Sequence, residues 1–255
     1  MTSAEAGELA AKVVLVTGAS RGIGACAARR FAESGAAVVL AARSEEALTH
    51  LAEEIAAFGG RARAVPTDLT DVEALDALIA RIRVEHGRLD VLVNNAAVLP
   101  PRTRLERTSL EDWRAIIDLN LTAPWYLASR CKELMGRGSV VINVASPAAL
   151  FPTVGFGSYS ITKAALNMFT RAAALEWARD EIRVVGIVPG WTDTEMAAPI
   201  VAALAERGIP VNPLGRLNDP REVADLMIYL TSEAARQITG AVIPIDGGYT
   251  IAAPQ

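Results

Sequence analysis

The chain has 255 residues, of which 51% are hydrophobic, and a formal net charge of −4. This length fits one large α/β domain with a sizeable core, and without a basic excess nucleic acid is not the expected partner. No apolar run approaches the length of a membrane span, and residues 1–10 lack the apolar core of a signal peptide. Cys26 and Cys131 show no C-x-x-C spacing. They are predicted to be buried free thiols, which indicates a reducing, cytoplasmic compartment.

Short β-branched runs alternate with helical patterns along the chain. Candidate strands lie at 12–17, 36–41, 61–65, 89–93, 138–144, 182–187 and 241–245. Candidate helices lie at 22–34, 44–58, 71–85, 109–135, 158–179 and 220–231. This alternation predicts a Rossmann-type doubly wound α/β fold, with seven mostly parallel strands, helices on both faces and a cofactor at the carboxyl ends of the strands. Because there is no internal repeat or linker, residues 1–255 are predicted to form a single domain.

The first strand leads into a glycine-rich turn, Gly18-Ala19-Ser20-Arg21-Gly22-Ile23-Gly24, which a helix follows. Gly18 permits the tight turn, Gly22 lets the backbone approach a phosphate, and Gly24 lets the helix pack on the strand. The exposed N–H groups at the helix start would bind a pyrophosphate. A tight βα connection alone could use such glycines, but the strand before and the helix after favour dinucleotide binding. We therefore expect cofactor contacts from Gly18, Ser20, Arg21, Gly22, Ile23 and Gly24.

Tyr159 and Lys163 stand four residues apart in a predicted helix, so they share one of its faces. A nearby ammonium favours the phenolate and would lower the tyrosine pKa from about 10 toward the range of a useful acid or base at neutral pH. Ser146, upstream of that helix, would hydrogen-bond the substrate oxygen. A half-buried tyrosine beside a solvated lysine has the same spacing, so the catalytic interpretation depends on the companion motifs.

These motifs, in this order, resemble the short-chain dehydrogenase/reductase family, in its compact single-domain branch. The matching segments spread over nearly the whole chain: Thr17–Gly24, Asp68–Thr70, Asn94–Ala97, Asn120, Ser146, Tyr159–Lys163, Pro189–Gly190 and Asp246–Gly248. The resemblance implies a catalytic set of Asn120, Ser146, Tyr159 and Lys163. In that set Asn120 would hold a water that links Lys163 to solvent; an exposed polar helix face is the alternative for this asparagine.

The resemblance also extends the cofactor site beyond the glycine turn. It implies cofactor contacts from Asp68, Leu69, Asn95, Ala96, Tyr159, Lys163, Pro189, Gly190, Thr192 and Thr194. Asp68 would meet the adenine ring, with loop capping as the alternative, and Thr192 and Thr194 would meet the carboxamide or phosphates, with helix capping as the alternative. The family usually closes the fourth-strand motif with glycine, whereas this chain has Ala97. That alanine would cost about 1 kcal/mol if the backbone there needed a positive φ.

The end of the second strand bears on the choice of nicotinamide cofactor. Ala42 occupies the place where NAD-preferring relatives carry an acid, and Arg43 follows it. Together with Arg21 in the glycine turn, Arg43 provides a pair of guanidinium groups suited to a 2′-phosphate. The alternative is that Arg43 simply lies along the surface. These residues predict NADP(H).

Residues 189–220 interrupt the strand–helix alternation with five prolines and three glycines around a helical stretch at 194–206. The resemblance implies a substrate-binding lid here, and an ordinary surface excursion is the alternative. The hinges of the lid would be Gly190, Gly208 and Gly215. The uncharged segment 147–157 suggests a neutral, hydrophobic ketone or aldehyde as substrate, although the same residues would suit a plain core.

Together these features predict an oxidoreductase that reduces a carbonyl group, with a hydride from the nicotinamide and a proton from Tyr159. Oxidation of a secondary alcohol would use the same residues. The runner-up is a 3-oxoacyl thioester reductase that acts on carrier-protein substrates. Arg137 stands where such reductases place one docking arginine, but Asp180 stands where the other is expected. A cofactor-binding regulator without catalysis is disfavoured because the whole catalytic set is present.

Two long predicted helices, 113–135 and 158–179, carry many small or apolar residues. These residues would pack in a subunit interface, with intrachain core as the alternative, and the family habit implies a homotetramer or a homodimer. The expected partners are therefore a small-molecule substrate and other copies of this chain, with no nucleic acid and no membrane. The two histidines are isolated in the sequence, so no metal site is predicted.

Overall fold

The computed structural model describes residues 9–252, so most of the segment assessed for a signal peptide lies outside the described residues. Within them seven strands form one sheet in the order β3-β2-β1-β4-β5-β6-β7. The strands are β1 (Val13–Thr17), β2 (Ala37–Ala42), β3 (Arg61–Pro66), β4 (Val91–Asn94), β5 (Val140–Val144), β6 (Arg183–Pro189) and β7 (Val242–Ile245). Every neighbouring pair is parallel, which confirms the predicted seven-stranded doubly wound sheet.

Eight α-helices of the described residues surround this sheet. They are α1 (Gly22–Glu33), α2 (Glu45–Ala57), α3 (Val72–His86), α4 (Leu110–Ile117), α5 (Ala123–Cys131), α6 (Gly157–Glu176), α7 (Ala198–Glu206) and α8 (Pro220–Thr231). Polar side chains accept backbone N–H groups at the start of four of them: Ser44 at α2, Asp71 at α3, Ser109 at α4 and Asp219 at α8. These caps satisfy donors that a helix start otherwise leaves free.

The sheet separates two apolar cores, because successive side chains of a strand point to opposite faces. Val14 and Val16 of β1 pack in the core that contains Phe31 of α1. Val13 and Leu15 pack in the core that contains helix α3 residues on the other face. All five residues of β1 are buried, as expected for a strand covered on both sides.

The direction of sheet growth reverses at β1. The chain adds β2 and β3 on one side of β1, whereas β4 to β7 follow on the other. In sheets of this kind ligands bind in the crevice at the carboxyl ends of the strands where the order reverses. Thr17 and Asn94, the last residues of β1 and β4, lie at this crevice.

The long helix predicted at 109–135 is interrupted. α4 ends at Ile117, a π-helical turn covers Asp118–Thr122, and α5 begins at Ala123. An apolar pattern of helical period does not distinguish a π turn from an α-helix, although π turns often mark functional sites. The prediction of one uninterrupted helix is therefore wrong at Asp118–Thr122.

The helix predicted at 194–206 is shorter than expected. It begins at Ala198 rather than at 194 because the carbonyl of Thr194 accepts the N–H groups of Ala197 and Ala198 in a separate turn. Among residues 9–252, no helix has both the length and the apolar character needed to cross a membrane. In the same part of the chain, no cluster of three His, Cys, Asp or Glu side chains is placed to hold a metal ion.

Candidate active site

In the turn between β1 and α1, the three glycine positions leave little room for a side chain. Gly18 and Gly22 have φ values of +64° and +56°, which residues with a Cβ rarely adopt. A Cβ on Gly18 would lie 2.8 Å from the Cα of Ala96, and a Cβ on Gly24 would collide with the carbonyl oxygen of Gly18. The three glycines therefore let the turn approach both the end of β4 and the first turn of α1.

The start of α1 presents backbone N–H groups to the crevice end of the sheet. Arg21 precedes the helix in an extended conformation, and no side chain among the described residues caps it. Uncapped N–H groups and the helix dipole favour a bound anion. Together with the crowded glycine cradle, they fit the pyrophosphate of a dinucleotide. Ser20 lies half-buried in this turn, and Ile23 packs partly buried against the core on the α1 side.

A hydrogen-bond network joins the glycine turn to the end of β4. The Thr17 hydroxyl donates to the Val93 carbonyl at 3.1 Å and accepts the N–H groups of Asn95 and Ala96 at 3.0 and 3.1 Å. The Asn95 amide donates to the carbonyls of Thr17 and Gly18 at 2.9 and 3.3 Å. The structure thus brings Asn95 and Ala96 beside Gly18. Thr17 is not among the predicted cofactor contacts, although a hydroxyl that ends an apolar strand is a usable signal.

A second network links β4, β5 and α6. The side-chain amide of Asn94 donates to Asn143 Oδ1 at 2.9 Å, and the amide of Asn143 donates to the Thr170 hydroxyl at 2.9 Å. All three residues are buried. Sequence reasoning missed Asn143 and Thr170, but an asparagine inside the apolar run of β5 could have indicated such a network.

Ala97 replaces the usual family glycine without backbone strain. Within residues 9–252, Glu181 is the one non-glycine residue with a positive φ. The penalty of about 1 kcal/mol that a positive φ would impose therefore does not apply to Ala97.

Arg43 and Asp68 are both exposed and follow the ends of β2 and β3. The Asp68 carboxylate accepts the N–H and the hydroxyl of Thr70 at 2.9 and 2.7 Å. These hydrogen bonds, with a smaller contribution from the charge of Arg43, lower the pKa of Asp68. Asp68 thus holds its own loop, while Asp71 caps α3. Leu69, between them, is buried in the core on the α3 side.

The predicted cofactor residues at and after the end of β6 are Pro189, Gly190, Thr192 and Thr194. Gly190 packs against the residue that follows β7, since a Cβ there would lie 2.7 Å from the Cα of Asp246. The Thr192 hydroxyl donates to the Gly190 carbonyl at 3.0 Å, and the Thr194 hydroxyl donates to the Thr192 carbonyl at 3.3 Å. The Thr194 Cγ2 faces the glycine turn, 3.2 Å from the position of a Cβ on Gly22. Neither threonine caps α7, whose start has no side-chain cap from the described residues.

Tyr159, Lys163 and Ser146 come together at the carboxyl end of β5. Tyr159 and Lys163 are buried on one face of α6, with Lys163 Nζ 5.8 Å from the Tyr159 ring centroid. The Lys163 ammonium donates to the carbonyl of Val144 at 2.8 Å. The Ser146 hydroxyl accepts the N–H of Ala148 at 3.3 Å, and the serine side chain hydrogen-bonds Tyr159. Because Lys163 is buried, the alternative of a solvated lysine is wrong.

Burial shifts the pKa values of both titrating groups. It raises the pKa of the Tyr159 hydroxyl, and the hydrogen bond with Ser146 opposes that rise. It lowers the pKa of the Lys163 ammonium to about 8. We expected Lys163 to lower the pKa of Tyr159, but the net direction is upward because loss of solvation disfavours the phenolate. With a pKa of about 8, Lys163 still carries its proton for most of the time at pH 7.

Asn120 lies buried in the π-helical turn between α4 and α5. Its Oδ1 accepts the N–H of Val98 at 2.9 Å, and its Nδ2 donates to the Val98 carbonyl at 3.0 Å and to the Thr162 hydroxyl at 3.4 Å. The alternative of an exposed polar face is therefore wrong. The side-chain amide thus holds the loop after β4 in place, and the relay water at Asn120 stays a prediction.

The apolar segment 147–157 contributes to an exposed rim that follows β5. Leu150, Phe151 and Val154 are exposed, so the plain-core alternative is wrong for them. Arg102 Nη2 donates to the Val154 carbonyl at 3.1 Å, and the guanidinium lies 5.9 Å from the Phe156 ring centroid. The loop after β4 is therefore bound to this segment, and the two together form one rim.

Comparisons with known proteins agree with this geometry. A family model described as enoyl-(acyl carrier protein) reductase matches residues 18–250. The 2,5-dichloro-2,5-cyclohexadiene-1,4-diol dehydrogenase of Sphingobium indicum is 38% identical over 249 residues, which cover 96% of this chain and 99% of that protein. The 3-oxoacyl-[acyl-carrier-protein] reductase of Aquifex aeolicus is 35% identical, with 94% and 98% covered. The crystal structure of a short-chain dehydrogenase from Burkholderia cenocepacia J2315 in complex with NADP has a TM-score of 0.88 and 32% identity, with 95% and 99% covered. The chain therefore belongs to the short-chain dehydrogenase/reductase family.

Proposed function

We propose that the protein is an NADP(H)-dependent oxidoreductase that interconverts a ketone or aldehyde and an alcohol. The observation that carries the proposal is the buried Tyr159 hydroxyl, hydrogen-bonded by Ser146 and flanked by Lys163. Such a group can move a proton to or from a carbonyl oxygen. The names of the relatives, a diol dehydrogenase and a 3-oxoacyl reductase, describe reactions of this class.

The catalytic residues have distinct roles in this proposal. NADP(H), held at the glycine turn, would supply or accept the hydride. During reduction the Tyr159 hydroxyl donates its proton to the carbonyl oxygen, while Ser146 hydrogen-bonds the same oxygen. The Lys163 ammonium, oriented by the Val144 carbonyl, stabilises the phenolate that remains. Asn120, which also holds the loop after β4, would hold the water that links Lys163 to solvent. During alcohol oxidation Tyr159 accepts the proton instead.

A preference for NADP(H) over NAD(H) follows from the ends of β1 and β2. Ala42 is buried and offers no carboxylate to a ribose 2′-OH, whereas Arg43 and Arg21 are exposed cations on the cofactor side. A 2′-phosphate would gain charge-assisted hydrogen bonds from both guanidinium groups. The bound NADP of the Burkholderia relative supports this choice. A higher kcat/KM with NADH than with NADPH would refute it.

The reductase assignment is tested with a Tyr159→Phe variant. We expect kcat to fall by about 10²- to 10⁴-fold, the usual contribution of a positioned acid, while the Kd for NADPH changes little. Tyr126→Phe is the matched control, because the Tyr126 hydroxyl bonds Asp76 at the protein surface, at 2.8 Å, and lies outside the proposed site. Unchanged turnover in Tyr159→Phe would refute the tyrosine assignment. Tight NADPH binding by the wild type without turnover of any tested carbonyl or alcohol would instead favour a regulator.

A 3-oxoacyl reductase that acts on a carrier protein is the second candidate, favoured by the Aquifex relative; the description of the matching family model also names an acyl carrier protein. The surface at the expected docking position weakens it. Arg137 is paired with Glu181 at 2.9 Å, and Asp180 is paired with Lys132 at 2.6 Å. Of the two positions where a docking arginine is expected, one is thus already paired with a carboxylate and the other carries a carboxylate, which disfavours an acidic carrier. If a carrier-bound 3-oxoacyl thioester has a kcat/KM many-fold above that of the same acyl group on a small thiol, this second candidate is correct.

We propose a homotetramer, or failing that a homodimer, with α6 in an interface. Ile161, Met168 and Leu175 recur every seven residues and are 43%, 60% and 81% exposed. They form an apolar stripe on one helix face. Light scattering of the wild type should give the mass of a tetramer or a dimer. The Met168→Glu variant, which places a charge in the apolar stripe, should give a lower mass. A monomeric wild type would contradict the proposal.

We further propose that residues 1–255 form a single NAD(P)-binding domain in the cytoplasm, with a substrate lid at 189–220. The lid is supported by α7, none of whose described side chains is buried. The cytoplasmic location is supported by Cys26 and Cys131, which are both free thiols, although only Cys131 is buried as predicted and Cys26 is half-buried. Protection of the lid from limited proteolysis by a bound substrate analogue would test its role.

A further inference from the structure

The base of the lid touches the glycine turn through a charged pair. Arg21 Nη1 lies 3.3 Å from Glu195 Oε2, and the two side chains are 69% and 77% exposed. Arg21 precedes α1 at the start of the chain, whereas Glu195 lies in the segment between β6 and α7. One of the two cations assigned to the cofactor phosphate is thus already bound by a carboxylate of the lid.

Neighbouring contacts hold Glu195 in this place. The preceding residue, Thr194, packs on Gly22. Two residues before that, Thr192 pairs with Asn218, and the Asp193 N–H donates to the Asn218 carbonyl at 2.9 Å. Residues 192–194, at the base of the lid, are therefore anchored both to the glycine turn and to Asn218. The side chains of α7 are not buried. Glu195 therefore lies between the anchored segment, which ends at residue 194, and a loosely packed helix.

Arg43, the second cation predicted to bind the 2′-phosphate, differs from Arg21 because its acidic neighbour already has other hydrogen-bond partners. Arg43 acts electrostatically on Asp68, but the Asp68 carboxylate is committed to Thr70 by two hydrogen bonds. Glu195 has no hydrogen bond among the described residues except the one from Arg21. The Glu195 carboxylate and the 2′-phosphate of a cofactor would therefore both bind the Arg21 guanidinium.

We propose that Glu195 competes with the 2′-phosphate of NADP(H) for Arg21 and thereby limits the preference for NADP(H) over NAD(H). This inference rests on the proposed use of NADP(H). Two anions that share one guanidinium repel each other, so NADP(H) binding must weaken the Arg21–Glu195 pair. NAD(H) has no phosphate at the ribose 2′ position and leaves the pair intact. By reciprocity, the lid base is held less firmly by this pair in the NADP(H) complex than in the NAD(H) complex.

The test is Glu195→Gln, which removes the charge and keeps the shape of the side chain. We measure the Kd of NADPH and of NADH for the full chain by calorimetry, at low and high salt. We expect the Kd of NADPH to fall by about two- to fivefold at low salt, the range of an exposed ion pair, and the Kd of NADH to stay unchanged. The gain should shrink at high salt because exposed charges are screened.

Two controls make the result specific. Glu206→Gln removes the same charge at the far end of α7, where the described residues show no ion pair with Glu206, so it should leave both Kd values unchanged. In an Arg21→Ala background Glu195→Gln should no longer tighten NADPH binding, because the shared cation is gone.

An unchanged or weaker affinity of Glu195→Gln for NADPH would overturn the inference. So would equal tightening of both cofactors, which would indicate a general effect on the lid, or a gain that persists in the Arg21→Ala background. If the wild type binds NADPH tightly and one of these results is found, only the role of Glu195 fails. If the wild type prefers NADH, the proposed cofactor and the role of Glu195 both fail.

Discussion

The close packing of Gly24 can be tested by adding one methyl group. Gly24 lies in the first turn of α1, where replacing glycine with alanine normally stabilises a helix by up to about 1 kcal/mol. In this structure the new Cβ would collide with the Gly18 carbonyl oxygen and lie 2.5 Å from Asn95 Nδ2. For Gly24→Ala, helix propensity therefore predicts a higher free energy of unfolding, whereas crowding predicts a lower one.

The structure indicates that the cost of crowding exceeds the gain in helix propensity. The atoms that must give way include backbone, and a backbone shift at a packed position costs about 1–3 kcal/mol. Moving the Asn95 amide also disturbs its hydrogen bonds to Thr17 and Gly18, at about 1 kcal/mol. After subtracting the helix gain, we expect Gly24→Ala to lose about 2 kcal/mol of unfolding free energy. For a chain of this size that corresponds to a Tm lower by roughly 4–8 °C.

Gly157→Ala provides the matched control for this measurement. Gly157 also begins a helix and is also crowded, since its Cβ would lie 2.7 Å from Leu105 Cγ. Leu105 is an exposed side chain that can turn away, so Gly157→Ala should be close to neutral. Urea denaturation of both variants, with an unchanged m value, gives the comparison. If Gly24→Ala proved as stable as the wild type or more so, the argument from backbone crowding would be refuted.

Two further predictions concern buried polar groups. Replacing Asn143 with Leu should cost about 2–3 kcal/mol, because it deprives Asn94 and Thr170 of a hydrogen-bond partner in a buried site; a urea midpoint equal to that of the wild type would contradict this. The folded-state pKa of Lys163 is lowered from 10.5 to about 8, so between these pH values the folded chain binds fewer protons than the unfolded chain. The wild type should therefore gain stability, relative to Lys163→Met, as the pH rises from about 8 to 10.5, by an amount of order 3 kcal/mol. Denaturation of both proteins across this range would show a constant difference if the lysine were not buried.

The parts of the fold that depend on local pattern could be predicted from the sequence. In β1 a continuous apolar run predicts a strand buried on both faces, and both cores do receive its side chains. The glycines at 18, 22 and 24 predict a turn that lies close to its neighbours, and the steric contacts there explain why each is needed. These predictions succeed because each depends on residues within a few positions of one another.

Other features depend on residues that are distant in the sequence. The Asn143 network joins positions 49 and 27 residues away from it, and the Arg21–Glu195 pair joins positions 174 residues apart. No local periodicity signals such a pair. The π turn at Asp118–Thr122 is local, but it shares its apolar pattern with an α-helix, and only the bonds of Asn120 to Val98 reveal what the turn positions.

The titration of Tyr159 shows how proximity and solvation compete within one site. The spacing of Tyr159 and Lys163 correctly predicted a shared helix face, and from a pairwise charge argument it also predicted a lowered tyrosine pKa. Burial acts on both groups at once, however, and raises the pKa of the tyrosine while lowering that of the lysine. The hydrogen bond from Ser146 opposes the rise at Tyr159. Ser146 therefore has a second role beyond holding the substrate oxygen, since it also keeps the buried tyrosine more acidic than burial alone would allow.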